Sequence, residues 1–76
     1  MTDLHDYLET QLHDIESEVT RAARRADALL RRINPVSEFG QDLQLELFSV
    51  HQALEAASSR LAEARRKVHA DRSRRR

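Results

Sequence analysis

Seventy-six residues suffice for one small domain, and a single Gly and a single Pro argue against an all-β chain, which needs a turn about every 8–12 residues. The balance of 39% apolar and 34% charged residues, rich in Ala, Leu, Arg and Glu, is that of long amphipathic helices. Thirteen basic against 13 acidic residues leave no global field for nucleic acid or an anionic membrane, and the lack of cysteine excludes disulfide and thiol chemistry.

The opening segment, residues 1–10, is acidic and has no apolar run, so no secretory signal is expected there. No stretch approaches the roughly 20 apolar residues of a membrane span. A cytoplasmic protein without a membrane span is therefore expected.

The first predicted element begins after a cap at Thr2 or Asp3, with an acidic first turn that suits the helix dipole. Its apolar residues step by 4 and 3, placing Leu12, Val19, Ala26 and Ile33 at heptad position a and Leu8, Ile15, Ala22 and Leu29 at d. Pro35 disfavours helical geometry at Asn34 and ends this helix. The turn is expected at about residues 34–38. The second helix starts either at Pro35 with Asn34 as its cap, or after Ser37. Gly40 then falls in its first turns, at a cost of about 1 kcal/mol relative to Ala.

In the second element Leu47, Leu54, Leu61 and Val68 occupy a, and Leu43, Val50, Ala57 and Ala64 occupy d. Fraying is expected after Val68. The chain therefore divides into a hairpin domain, residues 1–71, and a basic frayed tail, residues 72–76.

Folding the chain on itself so that paired residue numbers sum to 72 or 73 brings the two stripes together. Val19 then meets Leu54 and Leu12 meets Leu61, while Ile15 with Ala57, Ala26 with Leu47 and Ala22 with Val50 set a small residue against a large one. Charge indicates the same topology. Residues 1–18 hold six acids and no Lys or Arg, and residues 19–32 hold five Arg and one acid. Residues 33–57 hold four acids and no Lys or Arg, and residues 58–76 hold eight Lys or Arg and two acids. Folded back, acid faces base along both halves, with Glu9 expected near Arg65 and Arg25 near Glu46. A parallel arrangement would set acid against acid. The expected fold is all-α: an antiparallel, coiled-coil-like two-helix hairpin.

Two helices bury one stripe each, which makes a thin core. The isolated chain should self-associate or melt readily. Leu45 and Phe48 fall at positions f and b, away from the seam, and Phe39 lies one to two turns earlier. Leu4, Tyr7, Ala23 and Leu30 also lie off the a/d seam. An exposed Phe beside an exposed Leu points to contact with another chain. Phe39, Leu45, Phe48, Leu30 and Tyr7 are accordingly the candidate partner-binding residues. The other chain is a different helical protein, or a second copy forming a homodimer in isolation.

Catalytic chemistry finds no foothold. His5, His13, His51 and His69 include no i, i+4 pair, and no zinc-binding HExxH motif occurs. Two helices alone form no concave pocket, and no Gly-rich phosphate loop is present. No enzyme activity, cofactor or metal is expected. His5 and His69 approach each other at the open end, near Asp6 and Asp71, as solvated groups. The Arg-rich C-terminus is the alternative functional signal, since basic runs neutralise phosphates. No aromatic residue interleaves it, and nucleic-acid binding is the less favoured reading.

The segment from Asn34-Pro35 through Phe39, Leu43 and Leu47, in a cysteine-free chain of two helices, resembles the small E-type co-chaperones of bacterial type III secretion needle proteins. The resemblance spans residues 4–68. It implies a cytoplasmic helical hairpin that pairs with a tetratricopeptide-like chaperone and, through it, keeps a needle subunit monomeric, a role in virulence. It implies no catalytic residue. The Arg-rich end from Arg72 is not a feature of that family. The expected function is a protein-protein interaction module acting as a chaperone or co-chaperone; the alternative is a small nucleic-acid-associated or phage-type regulatory protein.

Overall fold

The computed structural model describes residues 3–74, which form two helices, α1 (Leu4–Arg32) and α2 (Glu38–Arg74). They pack against each other as an antiparallel hairpin, and no strand occurs among the described residues. The expected all-α hairpin is the observed architecture.

Each helix end follows from its local sequence. Asp3 caps α1 from an extended conformation (φ −65°, ψ 139°), and its carboxylate accepts the His5 backbone N–H at 3.2 Å. Its carbonyl accepts the Tyr7 N–H at 3.1 Å, the first bond of the helix. The other candidate cap, Thr2, lies outside the described residues. Arg31 and Arg32 in the last turn complement the negative end of the dipole. Ile33 is already extended, so α1 ends one residue before Asn34, the position that Pro35 bars from helical geometry.

The turn resolves the alternative starts of α2. The Asn34 side chain accepts the Val36 N–H at 3.0 Å, closing a local Asx turn rather than capping a helix. Ser37 is the cap: its Oγ accepts the Gly40 N–H at 2.9 Å and its carbonyl accepts the Gln41 N–H at 3.0 Å. Gly40 is buried against this turn, and a Cβ there would overlap the Asn34 carbonyl. The glycine allows two backbone segments to approach closely.

Two expectations are corrected. The first concerns the tail, expected to fray after Val68 and to separate at residue 72. α2 is instead helical to Arg74. The reason is electrostatic: Arg72 reaches across to Asp6 and Glu9, and Asp71 to His5, so the last turns are held against the start of α1. The final two residues of the predicted tail lie outside the described residues.

The second concerns the seam. The row of α1 that loses exposure is Leu12, Glu16, Val19, Ala23, Ala26 and Leu30, which are positions a and e. On α2 the matching row includes Leu47, His51, Leu54, Ser58 and Leu61. The d positions divide. Ala22, Leu43, Ala57 and Ala64 are half-buried, whereas Leu8, Ile15, Leu29 and Val50 are 36–52% exposed. Small residues explain the shift. Ala23 and Ser58 share a groove with Val19 and Leu54, and Ala26 is only 6% exposed, so the helices approach closely along this row. The charged e positions are satisfied by one another, Glu16 with Arg65 and Glu9 with Arg72.

The molecule is a single elongated layer of 59 × 19 × 12 Å. Its radius of gyration is 17.4 Å, against about 11 Å for a compact chain of this length. Ala26 is the one buried apolar residue among those described.

Candidate functional site

Polar groups concentrate where the helix ends meet. The His5 ring lies 2.8 Å from Asp71 Oδ2 through Nε2 and 3.3 Å from Asp3 Oδ1 through Nδ1. Arg72 donates to Asp6 and lies 3.5 Å from Glu9 Oε2 and 3.9 Å from Asp3 Oδ2. One turn back, His69 approaches Glu9 at 3.6 Å, and further along Arg65 donates to Glu16 at 2.6 Å. Each of the two histidines expected at the open end is thus paired with a carboxylate, and the expected nearness of Asp71 is seen at His5.

The expected charge partners are displaced for a geometric reason. Side chains on a helix lean toward its N-terminus. In an antiparallel pair they lean in opposite directions. Glu9 and Arg65 lean apart, while Glu16 and Arg65 lean toward each other. Pairing residues at equal height therefore names the wrong carboxylate, one heptad away. No ion pair joins Arg25 to Glu46 among the described residues.

The bonds from Asp71 and Asp3 raise the His5 imidazole above its ordinary value, and the backbone and side-chain bonds from His5 lower the Asp3 carboxyl. The sign follows from linkage. A raised histidine contributes stability that is complete below its unfolded pKa and is lost as pH rises through its folded pKa. A lowered carboxyl contributes stability above its unfolded pKa, lost as pH falls through its folded value. Melting temperature should therefore fall from pH 6 to pH 8 in the native chain, by more than in the His5→Asn variant. Equal slopes in thermal melts of the two would show that His5 carries none of this dependence.

This cluster clasps the start of α1 to the end of α2. Its acids and bases are paired with one another, and the groove lined by Glu9, Arg65, Arg66 and His69 holds about 500 Å³ between two helices with no enclosing wall. Among the described residues no group of three or more His, Asp or Glu is placed to hold a metal ion. No described helix is long and apolar enough to cross a membrane.

The apolar candidates fall on different surfaces. Leu45 and Phe48 are 69% and 53% exposed, three residues apart on one side of α2. Phe39 is 75% exposed but projects from the other side of α2, beside Leu43 and Val50. The expected single group of Phe39, Leu45 and Phe48 is thus two patches. Tyr7 is exposed near the open end, about 25–40 Å along the hairpin from them by helical rise. Leu30, expected off the seam, is half-buried in the a/e row that faces α2, as is Ala23.

Heptad reading missed one surface. Leu8, Ile15 and Leu29 on α1 and Val50 on α2 fall at d positions that an a/d seam would bury, but they line one broad side of the hairpin. In an antiparallel pair equivalent heptad positions fall on the same side, so the d rows of the two helices adjoin. An excess of apolar residues over what a two-helix seam can cover is the signal that carries this surface.

No family model, curated protein or solved structure matches the chain.

Proposed function

We propose that this chain is a protein-protein interaction module, a cytoplasmic chaperone or co-chaperone that holds a helical partner and acts by binding rather than catalysis. Its partner in this reading is a tetratricopeptide-like chaperone of a type III secretion system, and through it a needle subunit. The observation that carries the reading is the exposed Leu45–Phe48 patch on a hairpin that, among the described residues, leaves ten large apolar ones exposed. Isolated exposed apolar residues are ordinary; adjacent ones on a helix are the pattern of a helix-docking surface. The assignment to type III secretion rests on the resemblance of residues 4–68 to the E-type co-chaperones.

The nucleic-acid alternative has less support. Arg65, Arg66 and Arg72 are each paired with carboxylates, which leaves less of the basic end for phosphates.

The test is co-purification of the full chain from its native host, with the tetratricopeptide-like chaperone and the needle subunit identified by mass. Leu45→Ser with Phe48→Ser should abolish capture, since anchors in a docking surface carry about 2 kcal/mol or more each. Helicity of the free chain should stay unchanged, because neither residue enters the seam. Deleting residues 74–76, which spares Arg72, should leave the complex intact. A complex indifferent to the double variant but lost with the tail, and steeply weakened by salt, would place nucleic acid first.

A further inference from the structure

The broad side bearing the d rows carries more apolar surface than the Leu45–Phe48 patch, and it is a different surface. Leu8, Ile15 and Leu29 line it from α1, and Val50 and Phe39 from α2. We propose that a second copy of this chain covers it, so that two hairpins stack through these faces into a four-helix bundle. This goes beyond the partner docking proposed above and uses neither residue of the Leu45–Phe48 patch.

Surface area argues for such an occupant. The chain exposes 6409 Å², where a compact monomer of 8.8 kDa exposes about 4,800 Å². The excess of about 1,600 Å² is twice the roughly 800 Å² that each partner gives up in a standard interface. A layer 12 Å thick has no second layer to pack on, and a stable helical domain is built from at least two.

Charge selects a copy of the same chain. Bordering the face, α1 carries Asp14 and Glu18 toward the open end and Arg21 and Arg25 toward the turn. α2 carries Asp42 and Glu46 near the turn and Arg60 and Lys67 near the open end. Among the described residues Glu18, Arg25, Glu46, Arg60 and Lys67 have no ion-pair partner within the chain. A two-fold axis lying in the face, along the hairpin or across it, sets each acidic segment against a basic segment of the copy. Such an isologous arrangement closes at two chains. The d rows also mix large residues, such as Ile15 and Val50, with the small Ala22, Ala57 and Ala64, which leaves room for side chains of a copy.

Sedimentation equilibrium of the full chain alone tests this, with thermal melts at several concentrations. The expected result is a mass of two chains at micromolar concentration and a melting temperature that rises with concentration. Ile15→Glu with Val50→Glu should weaken association by more than about 100-fold, from placing four unpaired charges in one interface. Should that variant lack helicity, Val50→Ser alone should still shift the dimer midpoint to higher concentration. Leu45→Ser with Phe48→Ser should leave the dimer intact, which separates this interface from the partner-binding patch. A helical monomer at high micromolar concentration would overturn the proposal and free the face for another protein. A dimer insensitive to the variants at Ile15 and Val50 would overturn it as well, as would any mass other than two chains.

Discussion

Leu54→Asp is expected to unfold the chain. Leu54 occupies position a of α2 and lines the same groove as Val19, Ala23 and Ser58. Truncating a packed leucine costs about 2–5 kcal/mol, and placing an unpaired carboxylate in the seam adds to that. Small domains have little stability to lose. Far-UV circular dichroism should show loss of most helical signal at room temperature. The informative comparison is Val50→Asp. An a/d seam would make the two substitutions equally severe. The observed a/e seam leaves Val50 at 47% exposure, so Val50→Asp should retain helicity while weakening self-association. Equal unfolding by both would restore the a/d packing and reject the surface assigned to Ile15 and Val50.

Gly40→Ala is expected to destabilise, against the direction that helix propensity gives. In an open helix the change gains about 1 kcal/mol. At this position the new Cβ meets the Asn34 carbonyl and the Ser37 hydroxyl, and the first of these is backbone. The turn must move, which disturbs both the Asn34–Val36 bond and the Ser37 cap. A net loss of about 1–3 kcal/mol is expected, the range of an overpacked site. Ser37→Ala supplies the scale, since removing the cap alone costs about 1 kcal/mol. Chemical denaturation should rank Gly40→Ala at least as destabilising as Ser37→Ala. A Gly40→Ala chain more stable than the native one would mean that the turn relaxes freely and that Gly40 has no packing role.

The positions of the elements were legible because they depend on neighbours in sequence. Asp3 and Ser37 cap with their own side chains, Pro35 acts on the residue before it, and each helix shows its apolar rhythm within its own span. The antiparallel direction was legible too, because blocks of acid and base alternate along the chain and only a reversal sets unlike blocks together. The partner of each charge was not. Glu16 rather than Glu9 meets Arg65 because side chains lean along the helix, a displacement that pairing by height ignores. Gly40 read as a local penalty for the same kind of reason: the Asn34 carbonyl that it accommodates belongs to the preceding segment.

By itself, then, the sequence of this protein determined two helices, a turn after Asn34 and the reversal of direction, all of which arise from local backbone chemistry or from charge summed over long blocks. Which side of each helix turns inward was decided only in the tertiary structure. The apolar stripe on each helix is wide enough to admit either the a/d or the a/e row as the seam. Close approach over Ala23, Ala26 and Ser58, with Glu9 and Glu16 met by Arg72 and Arg65, selects the latter. That rotation moves Leu8, Ile15, Leu29 and Val50 from the core to the surface. It cannot be read from either helix alone, because it is settled by the fit of one helix against the other.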